Sequence, residues 1–132
     1  MRNLSRGKFI AFAAGTIAVG LAVHLRGGFL GGTVRDVLGD ALWAALISWL
    51  IAIAWPNARL STRSAAAFGI CVAVELSQLI RSPWLAAIRH TTLGHLVLGS
   101  GFDPRDLVAY AAGVLAAFTL DRMSDRRAAM NR

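Results

Sequence analysis

Apolar residues come in four blocks along this chain: Phe9 to Leu25, Val37 to Trp55, Ala65 to Ile80 and Leu107 to Leu120, separated by short polar segments. Ala, Leu and Gly dominate the blocks and no two-residue alternation runs through them, so the pattern predicts helices and not strands. A helix needs about 20 residues to cross the hydrocarbon of a bilayer. The second block meets that length outright, and the others reach it once their polar flanks are included. The expected architecture is an all-α integral membrane protein. Its single domain is a bundle of four transmembrane helices over residues 9–120, preceded by a basic segment, 1–8, and followed by a basic tail, 121–132. In "SPW", Ser82 reads as a cap and Pro83 as a first-turn residue. One short interfacial helix, Pro83 to Thr92, is therefore expected in the outer connection.

Composition agrees. Of 132 residues, 56% are hydrophobic and 16% charged, where a soluble domain carries about 25% charged residues. Net charge is +7. In a soluble chain that balance would point to nucleic acid, but no basic motif interleaved with aromatics is present. Basic flanks of membrane spans explain it better, and no nucleic-acid partner is expected. The N-terminal segment, the second connection and the tail together hold nine of the 14 Lys and Arg residues, leaving five on the other side. That excess predicts both termini in the cytoplasm and the chain in the inner or plasma membrane. "MRNLSRGK" has the look of a signal n-region, but the apolar run behind it is long for one and no small-x-small site follows. Cys71 is alone, which excludes an intrachain disulfide. Small residues four apart (Ala11 with Gly15, Gly69 with Ala73, Ala109 with Gly113) predict close helix packing.

The polar residues are where function is to be sought. With this topology Asp36, Asp40, Glu75, Asp103 and Asp106 all fall toward the outer side, while Asp121 and Asp125 lie among tail arginines and read as solvated. Asp36 and Asp40 share a face of the second span, Glu75 and Gln78 a face of the third, Asp106 and Tyr110 a face of the fourth. Capping accounts for some of them: Thr33 stands three before Asp36, and "DPRD" has Asp103 as cap and Pro104 in the first turn. It does not account for Asp40, Glu75 or Gln78. These either line a cleft or glue the bundle by a buried ion pair or hydrogen bond, because a charge facing lipid is costly. The candidate ligand-binding set is Arg35, Asp40, Glu75, Gln78, Arg89, Asp106 and Tyr110. His90 and His95 are five apart, which is not the spacing of a helical metal pair. No metal, cofactor or catalytic residue is expected, and the absence of a nucleophile–base pair argues against an enzyme. "RGGFLGGT" fits no phosphate-loop pattern and reads as a flexible outer loop over the polar cluster.

The stretch "VELSQLIRSPWLAAIRHTTLGHLVLGSGFDPRDLVAYAAG", with "GDALWA" before it, resembles the small bacterial membrane proteins of domain-of-unknown-function family 2809, from about Arg26 to Gly113. A more distant likeness is to VanZ-like proteins, whose Glu-x-x-Gln and Asp-x-x-Asp pattern falls on Glu75, Gln78, Asp103 and Asp106, with Gly113 as its closing Gly. Tyr110 stands where that pattern has Asn. The resemblance implies a VanZ-like bundle and a partner that is an envelope lipid, a lipid-linked envelope precursor or a glycopeptide-like ligand. The expected function is binding of such a head group in an outward-facing polar cleft. The alternatives are a proton-coupled small carrier, which at this size would have to work as a homo-oligomer, and a structural or accessory membrane subunit.

Overall fold

The computed structural model describes residues 2–99 and 101–131, with side chains from Arg6 onward. Four long helices carry the fold: α1 (Arg2–Arg26), α2 (Gly32–Ala54), α3 (Leu60–Ser77) and α6 (Pro104–Met130). Two short ones, α4 (Pro83–Arg89) and α5 (Thr92–Leu98), lie between α3 and α6. Among the described residues there is no strand. Three stretches are long and apolar enough to cross a membrane: Arg6–Leu30, Gly32–Ala54 and Pro104–Met130. The helix that falls short, α3, has 18 residues, about 27 Å at 1.5 Å per residue. It carries Arg63 and Glu75, both buried.

The boundaries differ from the sequence expectation in three places. The single interfacial helix is two helices. Thr91 sits in extended conformation, and its Oγ1 accepts the Gly94 N–H and starts α5 as an N-cap. The turn requires Gly94, because a Cβ there would run into the Ile88 carbonyl. Thr33 does not cap α2. That role falls to Gly31 at φ 75°, a left-handed conformation that favours glycine, and the "RGGFLGGT" segment is largely a 3-10 turn, Gly27–Leu30. Finally, the basic tail is helical, since α6 continues unbroken to Met130.

The long helices alternate in direction. Lys8 of α1 and Arg63 of α3 meet Asp121 at one end of the bundle, and Glu75 of α3 meets the start of α6 at the other. The hub is α2, which packs against α1, α3 and α6. On one side Trp49 and Ala52 bury against Phe9, Ala13 and Ala117. The Trp49 indole N–H also donates to Thr16 Oγ1 across the α1 interface (3.1 Å). On the other side Ala44 packs with Ala67, Cys71, Tyr110 and Val114.

Of the three small-residue pairs, only Ala109 with Gly113 forms a helix contact. Both are buried, and a Cβ on Gly113 would collide with the Ala41 backbone, so α6 and α2 touch main chain to main chain here. Gly69 and Ala73, like Ala11 and Gly15, face outward. Gly113→Ala should therefore lower stability by about 1–3 kcal/mol, as overpacking does. Gly69→Ala, with open space around it, should be neutral or gain up to ~1 kcal/mol of helix propensity. Thermal unfolding of the two variants in detergent checks the contrast.

Candidate functional site

Glu75 organises the end of the bundle opposite the Lys8–Asp121 contact. It has no exposed surface, and no cation pairs with it among the described residues. Three neutral donors satisfy its carboxylate instead. The Asp103 N–H donates to Oε1 (2.7 Å), while the Tyr110 hydroxyl (3.1 Å) and Gln78 Nε2 (3.2 Å) donate to Oε2. Each bond ties α3 to something different: its own last turn, the segment entering α6, or α6 itself. The Tyr110 ring lies against Trp43 of α2, with ring centroids 5.7 Å apart, so all three central helices converge here. Asp103 caps α6 as the sequence predicts, accepting the Arg105 N–H (2.9 Å). Its carboxylate pairs with the Arg105 guanidinium (2.7 Å). The Arg105 side-chain and backbone bonds hold the Asp103 carboxyl below the usual carboxylate range.

Above this unit a cleft of about 810 Å³ opens between α1, α2 and α6. It exists because α1 and α6 each pack on α2 yet, among the described residues, approach one another only near Lys8, so their halves away from Lys8 leave α2 uncovered as a floor. Ile17, Leu21, Val37, Leu42 and Leu46 give it apolar walls, and Asp36, Asp40, Asp106 and Tyr110 supply polar groups. Asp40 and Asp106 reach the cleft from different helices. Five of the seven residues singled out from sequence share this cleft: Arg35, Asp40, Gln78, Asp106 and Tyr110. Glu75 sits behind it and supports Gln78 and Tyr110. Arg89 is elsewhere: its guanidinium donates to the Ser77 (2.6 Å) and Ile80 (3.3 Å) carbonyls, capping the negative end of α3. His24, His95 and Trp43 also line the cleft. Of these, Trp43 was within reach of the sequence, since it continues the Asp36–Asp40 face at helical spacing. Among the described residues no group of His, Cys, Asp and Glu could hold a metal ion.

A second polar cluster lies at the opposite end, and it corrects the reading of Asp121 as solvated. Asp121 is 2% exposed. Its Oδ1 accepts from Lys8 Nζ (2.7 Å) and its Oδ2 from Arg63 Nη2 (2.8 Å). Lys8 also reaches the exposed Asp125 (2.8 Å), and Phe9 lies under the Arg63 guanidinium, 4.9 Å from ring centroid to Cζ. Asp121 is drawn inward because the α6 helix continues through it and turns it toward α3.

The family model described as "Protein of unknown function (DUF2809)" matches residues 29–114, more than half of the chain. The chain belongs to this family. The match takes in α2 to α5 and the first part of α6, hence the whole Glu75 unit and the charged floor of the cleft. It omits α1 and the Lys8–Asp121 contact. No solved structure matches the chain.

Two outcomes follow. Tyr110→Phe should cost about 1.5–3 kcal/mol, the worth of a bond to a charged group, and Glu75→Ala should cost more, since it strands three donors. Asp121→Ala should cost ~3–5 kcal/mol because Arg63 is left as a buried unpaired charge, and adding Arg63→Met should recover much of that. Chemical or thermal unfolding in detergent reads all four variants.

Proposed function

We propose that this DUF2809 protein is a small multi-pass membrane protein, a four-span bundle with both termini cytoplasmic, whose outward-facing cleft receives the head group of an envelope lipid or lipid-linked precursor. The observation that carries this reading is the cleft itself: about 810 Å³, apolar on its walls and charged on its floor. That combination suits an amphiphile, with acyl chains against the α1 wall and a polar head over α2. In this reading α3 completes the bundle as a fourth span, because Arg63 is ion-paired to Asp121, Glu75 takes its hydrogen bonds from inside the bundle, and α2 and α6 pack on it. The alternating helix directions support the topology, and the excess of Lys and Arg toward the terminal end supports the orientation. Glu75, Gln78, Asp103 and Gly113, which fall on the VanZ-like pattern, fall in or next to one structural unit.

The charges favour a particular head group. Asp36, Asp40 and Asp106 line the cleft without an ion-pair partner among the described residues, whereas Arg105 is already engaged by Asp103. Arg35 is the one cleft arginine that makes no ion pair among the described residues. An ammonium group over the carboxylates and a phosphate at Arg35 would match this inventory, so a zwitterionic amine-bearing lipid fits better than a purely anionic one.

Native mass spectrometry of the detergent-purified protein with added phosphatidylethanolamine or phosphatidylglycerol tests this. The wild type should retain the ethanolamine lipid preferentially, and Asp40→Ala or Asp106→Ala should weaken that retention about tenfold, a loss of ~1.4 kcal/mol, while remaining folded. Equal retention of both lipids by wild type and variants would defeat the proposal. A pH-dependent flux in proteoliposomes that disappears in Asp40→Asn would favour the carrier reading instead.

A further inference from the structure

Arg63 is the most exacting polar group outside the cleft. It is 7% exposed, and among the described residues only Nη2 of its guanidinium has a hydrogen-bond partner, the Asp121 carboxylate. Nε and Nη1 are buried and bond to none of the described residues. Phe9 covers part of the cation but cannot accept a hydrogen bond as an oxygen does. Unmet N–H groups on a buried charge cost free energy, and native proteins meet them with protein or ordered water.

The same arginine lines a small cavity together with Ser48 of α2 and Asp121 of α6. Its volume is about 10 Å³, roughly one water centre's worth, near the lower limit of 10–15 Å³ for holding a water. The Ser48 hydroxyl spends its proton on the Ala44 carbonyl (3.0 Å), which leaves its oxygen free to accept. The cavity therefore offers donors from Arg63 and acceptors from Ser48 and Asp121, the two to four partners a buried water needs.

We infer that this cavity is a site for one ordered water molecule, which accepts from Arg63 and donates to Ser48 or Asp121, making the α2–α3–α6 junction a hydrated seam. Size decides against the other oxygen ligand an arginine would take, the phosphate of a lipid: a space with room for about one water centre does not take a phosphorus with its four oxygens. The Asp121 carboxylate at the same place would also repel it. The water would give Arg63 the rest of its hydrogen-bond shell without a second anion. It would also explain a serine at position 48, where the neighbouring buried residues of α2, Ala44 and Ala52, are apolar.

The test is solution NMR on micelle-solubilised full-length protein labelled with ¹⁵N-arginine, the Arg63 Nε–H signal being assigned by its loss in Arg63→Lys. The expected result is a dipolar cross-peak from that proton to water, opposite in sign to direct exchange in a rotating-frame experiment. The same cross-peak should vanish in Ser48→Val, which fills the cavity and removes the acceptor. No dipolar cross-peak in the wild type overturns the inference, as does one to lipid or detergent head-group protons. If Ser48→Val folds and its cross-peak is unchanged, the water lies elsewhere and the assignment of this cavity is wrong. Should that variant fail to fold, the wild-type spectrum decides alone.

Discussion

A buried carboxyl group, Glu75, with no cation beside it among the described residues, sets the half of this molecule away from the Lys8–Asp121 contact. Burying a polar group is tolerable only when its hydrogen-bonding capacity is filled, and two of the three donors to Glu75 cannot be supplied locally. The Asp103 N–H arrives only if the connection through α4 and α5 has returned to the bundle. The Tyr110 hydroxyl arrives only if α6 lies against α3 in the observed register. Satisfying one side chain therefore fixes where a long connection ends and where a long helix begins.

The two ends of α3 solve the same problem by opposite means. Arg63 and Asp121 neutralise each other, with Lys8 joining from α1. Glu75 is held by three neutral donors, with no cation beside it among the described residues. An opposed pair is a clamp: its field is spent between its members. Asp40 and Asp106 line the cleft in front of Glu75, and no basic side chain pairs with either among the described residues. The chain thus keeps its charge compensation at the end where the termini meet and leaves it incomplete where the cleft opens.

How much of this could be read from the residues depends on how far apart the partners lie in sequence. Helix existence, the α6 cap at Asp103 and the polar stripes on α2, α3 and α6 are local in origin, set by hydropathy, capping chemistry and helical spacing. The gathering of Arg35, Asp40, Gln78, Asp106 and Tyr110 into one cleft follows from placing those stripes at the same end of the bundle. What escaped needs pairing information that no local pattern holds. Asp121 looks like any tail carboxylate until α6 is known to continue through it and Arg63 to lie opposite. Arg89 looks like a ligand for an anion until the α3 carbonyls are seen in front of it. The three small-residue pairs are equivalent in sequence, and only the Ala41 backbone behind Gly113 distinguishes one as a contact.

The cleft also divides its labour along the chain. Its charged floor comes from α2 and α6, inside the stretch that matches the family, residues 29–114. Its opposite wall, with Ile17, Leu21 and His24, comes from α1, which precedes that stretch. Because Gly113 brings α6 hard against α2 while α1 is fastened to α6 mainly through Lys8 at the far end, the floor is rigid and the α1 wall is held chiefly by its own packing on α2. If the cleft takes an amphiphile as proposed, head-group chemistry is a property of the floor and the apolar part of the ligand falls to the wall. On that proposal, a relative with the same family stretch and a different first helix would recognise the same charge pattern on a differently shaped amphiphile.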